Sequence, residues 1–287
     1  MAHPAGEMAK RFVVTPGKNL DLSKRDPDDT AGVRSKSEWE GRLQQNLQHL
    51  FNLQTLLAAG GQHAVLVVLQ AMDAGGKDGT IRHVMTGLNP QACRVTSFKV
   101  PTEEEARHDF LWRVHRAVPW RGEIGIFNRS HYEDVLVARV HKLVKKSVWS
   151  ARYQQINDFE KILTRNNVVI FKFFLHISRE EQARRLASRI DDPQKNWKIS
   201  QADIKERKYW DDYMAAYEDA LHECSTDRAP WYVIPANKKW FRNLAVSQIL
   251  VDAMTSWKMR YPPPPPHLTA LRAALRSSPQ TPRRAKR

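Results

Sequence analysis

The run Ala71-Met72-Asp73-Ala74-Gly75-Gly76-Lys77-Asp78-Gly79-Thr80 directly follows the apolar stretch Ala64-Val65-Leu66-Val67-Val68-Leu69. A buried strand that feeds a glycine turn and then a helix brings backbone N–H groups and a helix N-terminus to one point, and that point attracts phosphate. The P-loop pattern Gly-x-x-x-x-Gly-Lys-Ser/Thr is nearly met. Gly76-Lys77 keeps its core, while Ala71 replaces the first glycine and Asp78 the hydroxyl residue. Gly75, Gly76 and Gly79, with Ala74 in the same turn, let the backbone close on phosphate oxygens. Lys77 supplies a point charge, and Thr80 either donates a hydroxyl or caps the helix. An acid inside an anion cradle is unfavourable unless a metal ion or a lysine offsets it. Asp73 is therefore a candidate ligand for Mg²⁺, a hard cation that takes oxygen donors, with Mn²⁺ an acceptable substitute; a simple pair with Lys77 is the plainer alternative. Asp78 in the first helical turn is favoured by the helix dipole and reads as a cap as readily as a ligand.

Phosphoryl transfer also needs mobile arginines and further metal or nucleotide contacts. The strand Glu123-Ile124-Gly125-Ile126-Phe127 runs into Asn128, where P-loop enzymes commonly place a metal-binding Asp; Asn128 can coordinate only through its uncharged carbonyl. Arg129 follows at the strand's carboxyl end, the edge where doubly wound sheets bind ligands. Glu133 and Asp134 put two acids near the same mouth, as metal or nucleotide contacts or as solvated helix-start acids, and Arg139 on the same segment is grouped with them as a nucleotide contact. Arg82 and Lys99 add cations for phosphate. Arg184, Arg185 and Arg189, with Lys195 and Lys198, form a basic helix and loop where a lid would close over phosphates. A solvated charged face is the plainer reading of that run. Trp197 either stacks on a base or packs the lid, and Trp210-Asp211-Asp212-Tyr213 reads as packing and surface charge.

These groups need elements to hold them. Trp39, Leu43, Leu47, Leu50, Leu53 and Leu57 recur every three or four residues and predict an amphipathic helix over 37–59 that Gly60-Gly61 ends. Strands are expected at 64–70, 93–98, 123–127, 168–177 and 231–234. The apolar run 168–177 suits a strand buried on both faces. Capping boxes at Thr102-Glu103-Glu104-Glu105 and Ser178-Arg179-Glu180-Glu181 start helices, the first through His115. Helices are also expected after Ser130, over 148–164, 200–224 and 240–258. Strands alternate with helices, which predicts an α/β fold with one doubly wound parallel sheet flanked by helices. Residues 1–35 read as a surface or partly disordered arm of the kind that ties oligomers together. The domain is expected over 36–260, with a helical lid at about 184–210. Residues 261–287 read as a Pro-rich, then basic, disordered tail carrying Arg272, Arg276, Arg283, Arg284, Lys286 and Arg287.

The 287 residues carry 46 basic against 31 acidic side chains, a formal charge of +15, which predicts a polyanionic substrate or partner. Cys93 and Cys224 are too few for a disulfide framework and lack metal-ligand spacing, which fits a reducing cytosol. Apolar runs fall far short of the roughly 20 residues a membrane span needs, so a soluble, unexported, cytoplasmic protein is expected.

The motifs 69–80, Ser97-Phe98-Lys99-Val100-Pro101-Thr102, Phe127-Asn128-Arg129-Ser130-His131-Tyr132-Glu133-Asp134 and Trp210-Asp211-Asp212-Tyr213 make the chain resemble the polyphosphate kinase 2 family, its class III members in particular. The similarity runs from about Trp39 to Met254. It implies a P-loop kinase fold related to thymidylate kinase, inorganic polyphosphate as donor and a nucleoside mono- or diphosphate as acceptor. The family's loop Asp and Lys fall on Asp73 and Lys77, its strand-end Arg on Arg129, and its lid arginines on 184–189. Asn128 departs from the Asp of other classes, leaving Asp134 or water to complete the metal site. Glu133 resembles the class that phosphorylates AMP as well as ADP. The resemblance also implies a homo-oligomer, dimer or tetramer. Two rivals are an ATP-dependent nucleoside monophosphate kinase, opposed by Ala71 and Asp73, and a basic nucleic-acid-binding protein. The second would need cations and aromatics along a groove rather than around a phosphate loop.

Overall fold

The computed structural model describes residues 6–277. In chain order it runs α1 (Glu7–Phe12), α2 (Lys36–Gly60), β1 (Ala64–Gln70), α3 (Lys77–Val84), β2 (Cys93–Ser97), α4 (Glu103–Ala106), α5 (Trp112–Arg116) and β3 (Ile124–Asn128). It continues through α6 (Val137–Val140), α7 (Lys146–Arg165), β4 (Val168–His176), α8 (Arg179–Asp191), α9 (Gln201–Glu206), α10 (Trp210–Cys224), β5 (Trp231–Pro235), α11 (Lys239–Ser256) and α12 (Leu268–Ser277). The five strands form one parallel sheet in the order β2-β3-β1-β4-β5. Every residue of β1 is buried, as expected of a central strand covered on both faces. From β1 the chain visits β2, returns to β3, and then crosses to β4, so its direction of winding reverses at β1. Register pairs Leu69 and Ser97 with Asn128, and the carboxyl ends of β1, β2 and β3 therefore finish side by side at that reversal. Such a switch point opens the crevice in which doubly wound sheets take ligands.

Local chemistry sets the element ends. Ser35 accepts from the Glu38 N–H to start α2, and Gly61 closes it with a left-handed φ of 56°. The Thr102/Glu105 capping box forms, yet the helix stops after Ala106 instead of running to His115. The Asp109 carboxylate accepts from Leu111 N–H, and this local bond replaces the helical ladder before α5 resumes. The helix expected over 200–224 is likewise divided by a 3₁₀ turn at Arg207–Tyr209, and the segment after Ser130 is a 3₁₀ turn, His131–Asp134, followed by the single turn α6.

The N-terminal segment is not a loose surface arm. Met8, Ala9, Phe12, Val14, Leu22 and Val33 are buried, Val14 N–H donates to the Trp231 carbonyl at 2.8 Å, and Val13 bridges Tyr232 antiparallel at the free edge of β5. The apolar pair Met8 and Phe12, four residues apart, is what its charge-rich composition hid. The tail also departs from the disorder expected of it, because Leu268–Ser277 is helical. Residues 278–287, with Arg283, Arg284, Lys286 and Arg287, lie outside the described residues. Among the described residues, no helix is long and apolar enough to cross a membrane.

Beneath β4 lies a buried polar cluster. Lys172 Nζ donates to Glu160 Oε2 and to the Cys224 carbonyl, both at 2.6 Å, and to the Tyr132 hydroxyl at 3.0 Å, while Glu160 Oε1 meets Tyr132 and His131. This cluster anchors Tyr132, three residues past Arg129. Burial pushes the Glu160 carboxyl upward, but Lys172 and His131 more than offset it and hold it below its ordinary value. The stabilisation is therefore complete at neutral pH and disappears as pH falls through that depressed value. Lys172→Met strands a buried carboxylate and is expected to destabilise the protein by about 3–5 kcal/mol in urea unfolding, whereas Lys172→Met combined with Glu160→Leu regains most of the loss. A single variant as stable as the parent would contradict this account.

Candidate active site

The turn between β1 and α3 is a compressed loop. Ala74 and Gly76 are left-handed, with φ of 61° and 105°. A Cβ on Gly75 would fall 2.5 Å from the Ala71 Cβ and 2.8 Å from the Met72 carbonyl oxygen, so the turn closes only over a glycine. At Gly76 the same atom would lie 1.9 Å from Arg242 Nη1, and at Gly79 3.1 Å from Arg242 Nη2. These two glycines make room for a buried guanidinium, a need that their reading as phosphate-approach residues does not include. Lys77 Nζ donates to the Ala71 carbonyl at 2.9 Å, and burial lowers its pKa while Asp73 draws it back up. Thr80 does not face the cleft. It is fully buried and its hydroxyl donates to the Gly76 carbonyl at 3.1 Å, so it serves the helix rather than phosphate.

Above this loop opens a cleft of about 530 Å³, lined by Asp73, Ala74, Gly75, Gly76, Lys77, Asp78 and Gly79, by Ser97, Phe98 and Lys99 after β2, by Asn128 and Arg129 after β3, and by Arg189, Lys195, Lys198 and Asp203. Asp73 pairs with Arg129 rather than Lys77: Arg129 Nη2 donates to Asp73 Oδ1 at 3.3 Å. Arg129 holds a left-handed φ of 63°, an expensive conformation that places a cation at the strand end. Burial lowers the Arg129 pKa, but Glu133 and Asp73 outweigh it and the net shift is upward. Asn128 Nδ2 donates to Asp78 Oδ1 at 2.7 Å. Glu133 lies behind the cleft lining beside Arg129, Lys77 and Gln70, and burial raises its pKa against their opposing pull.

Several residues singled out by sequence are used elsewhere. Arg82 is exposed on α3 and does not line the cleft. Asp134 is taken by Arg152, whose Nη1 donates to its carboxylate at 3.2 Å and its carbonyl at 2.9 Å, so it cannot compensate for Asn128. Arg139 pairs with Asp219 at 2.5 Å and lies 4.5 Å above the Trp149 ring, in a separate depression between α6, α7 and α10. Arg184 is largely exposed and pairs with Glu181. Arg185 is buried: it pairs with Glu181 at 2.6 Å and donates to the carbonyls of Ala74 (3.0 Å), Gly75 (3.1 Å), Ala236 and Asn237. It braces the loop from behind instead of contacting phosphate. Arg189, Lys195, Lys198 and Lys99 do line the cleft.

Sequence reasoning missed Gln182 and Arg242. Gln182 Nε2 donates to the Asp73 carbonyl at 3.0 Å and its Oε1 accepts from Arg207 Nε at 3.2 Å, tying the 3₁₀ turn before α10 to the loop. Its signal was available, since Gln182, Arg185 and Arg189 are spaced three and four apart on one helix face. Arg242, alone in the apolar run of α11, had none. Arg185→Ala is expected to destabilise the fold by about 3–5 kcal/mol in urea unfolding, because buried Glu181 loses its buried partner and keeps only the exposed Arg184. Arg184→Ala should cost under about 0.5 kcal/mol, as exposed pairs do. Equal losses would show that the two arginines have the same role.

The Polyphosphate kinase 2 family model matches residues 33–262, which span the loop, the cleft and both helices that brace it. The chain is 53% identical over 262 residues to an AMP/ADP-polyphosphate phosphotransferase of Meiothermus ruber, covering 89% of this chain and 96% of that protein. It is 48% identical over 265 residues to an ADP-polyphosphate phosphotransferase of Rhodopseudomonas palustris, covering 88% and 92%. The crystal structure of polyphosphate kinase 2 from Arthrobacter aurescens matches the fold with a TM-score of 0.91 at 42% identity, over 96% of this chain and 98% of that one. With the loop, the parallel sheet and the cationic cleft in place, the chain belongs to the polyphosphate kinase 2 family.

Proposed function

We infer that the protein transfers the terminal phosphoryl group of inorganic polyphosphate to AMP and to ADP, making ADP and ATP. The observation that supports this most is the charge of the cleft: among the described residues that line it, Lys77, Lys99, Arg129, Arg189, Lys195 and Lys198 oppose Asp73, Asp78 and Asp203. A long polyanion is attracted by such a surplus. The relatives from Meiothermus ruber and Rhodopseudomonas palustris carry names that specify polyphosphate with AMP or ADP, in agreement with this reading.

In this mechanism Lys77 and Arg129 neutralise charge on the transferred group, and Arg189, Lys195 and Lys198 hold the donor chain and exclude water. A nucleotide phosphate oxygen attacks the terminal phosphorus in line. One P–O bond forms as the bridging P–O bond breaks, and the polyphosphate leaves one unit shorter. The attacking oxygen is already ionised near neutral pH, so no general base is required. The donor set suits Mg²⁺, or Mn²⁺ in its place. Asp73 is a partly exposed carboxylate on the cleft, Asn128 adds a neutral oxygen, and so few protein ligands leave room for water and phosphate oxygens. When bound, the ion would neutralise phosphate charge.

Turnover of AMP and ADP is expected with long-chain polyphosphate and Mg²⁺ and not with ATP as sole donor; efficient ATP use with AMP would instead favour the ordinary monophosphate-kinase reading. Asp73→Asn and Lys77→Ala should each lower kcat about 10²–10³-fold with unchanged circular dichroism, by removing charge stabilisation in the transition state. Rates near the parent's in either variant would remove the assigned roles.

A further inference from the structure

Arg242 is a buried cation that no acid among the described residues balances. Its side chain enters from the first turn of α11, is 2% exposed, and lies against the Cα positions of Gly76 and Gly79, one backbone layer from the cleft those glycines line. Its Nε and Nη2 both donate to the neutral Asn243 Oδ1, at 3.1 and 2.8 Å. Among the described residues no carboxylate pairs with it, and its charged neighbour Arg185 is of the same sign. Glu181 is already engaged by Arg184 and Arg185. Burial and Arg185 push its pKa down to about 10, which still leaves it protonated at neutral pH.

For stability, this is an unfavourable arrangement. A buried charge without a partner loses its hydration, and here it also sits at the N-terminus of α3, the positive end of the helix dipole. A polyanion in the cleft adds an attraction that offsets both penalties. We propose that Arg242 is a positioning residue for condensed phosphate: an uncompensated cation beneath the loop whose counter-ion is the substrate chain itself. The inference rests on the polyphosphate reading above. It assigns to the back of the loop a share of the affinity for the donor, and it makes the empty enzyme less stable than its packing allows.

Arg242→Met, Arg242→Gln and Arg242→Lys separate charge from shape. The two neutral variants should raise KM for polyphosphate about tenfold, the effect of one charge at this depth, with the smaller part of the loss in kcat. Arg242→Lys should stay within about threefold of the parent, since the charge is kept and only the fork geometry is lost. Without ligand, the neutral variants should melt at or above the parent's temperature, and added polyphosphate should raise their Tm less. Neutral variants with the parent's KM overturn the proposal, as does a lysine variant as impaired as they are. Neutral variants that fail to fold also overturn it, because the cation would then be a structural support. A parent enzyme that neither uses nor is stabilised by polyphosphate overturns the functional reading and this inference together; a parent that does both, matched by its neutral variants, overturns only the role of Arg242.

Discussion

A loop that gathers N–H groups toward an anion must send carbonyl oxygens the other way, into the protein, where each needs a donor. Everything around the cleft follows from how this chain meets that need. The carbonyls of Asp73, Ala74 and Gly75 accept from Gln182 and Arg185 of α8, and that of Ala71 accepts from Lys77. The same α8 carries Arg189 and leads into the Lys195 and Lys198 segment on the cleft wall. One helix therefore fixes the shape of the phosphate loop and positions the cations that face it, so the two cannot move independently without breaking buried hydrogen bonds.

The charges within the cleft are mutually adjusted. Asp73, inside an anion cradle, is tolerated because Arg129 pairs with it and Lys77 feels its field. Arg129 in turn accepts a left-handed backbone to reach that position. Asn128, uncharged, ties Asp78 down instead of adding a second acid beside the phosphate path. A charged Asp at position 128 would have faced Asp78 at hydrogen-bonding distance, a repulsion that the amide converts into a bond.

What was legible in the sequence was whatever is consecutive in it. β1, the loop and α3 form one unbroken segment, and the apolar runs of β1 and β4 announce strands buried on both faces, so the sheet and the loop could be read directly. The Thr102 capping box gave a helix start correctly, but its end depended on Asp109 bonding locally, a choice the periodicity does not encode. Asp134 and Arg139 follow Arg129 closely in the chain, yet past the 3₁₀ turn at His131–Asp134 they pair with Arg152 and Asp219 instead of joining the site. Gln182, Arg185 and Arg242 meet the loop from more than a hundred residues away, and no local pattern reports a contact of that span.

The N-terminal segment belongs to the same account, although its composition suggested an accessory arm. Phe12 meets Phe241 edge-on at 5.9 Å and Trp39 stacks on Trp240 at 5.6 Å, so the residues immediately before Arg242 are gripped from two sides. Asp28 accepts from Asn237 Nδ2 at 2.7 Å, Asn237 N–H donates to the Pro27 carbonyl, and Asn237 Oδ1 accepts from the Ser178 N–H that precedes α8. The Asn237 carbonyl is also one of the four carbonyls that accept from Arg185. Residues 12, 27, 28 and 39 thus secure the first turns of α8 and α11, the two helices whose side chains form the back wall of the loop. Loosening this segment would release the loop's supports without touching a single group that lines the cleft, which makes residues 12–39 a support of the phosphate site that does not itself contact the cleft.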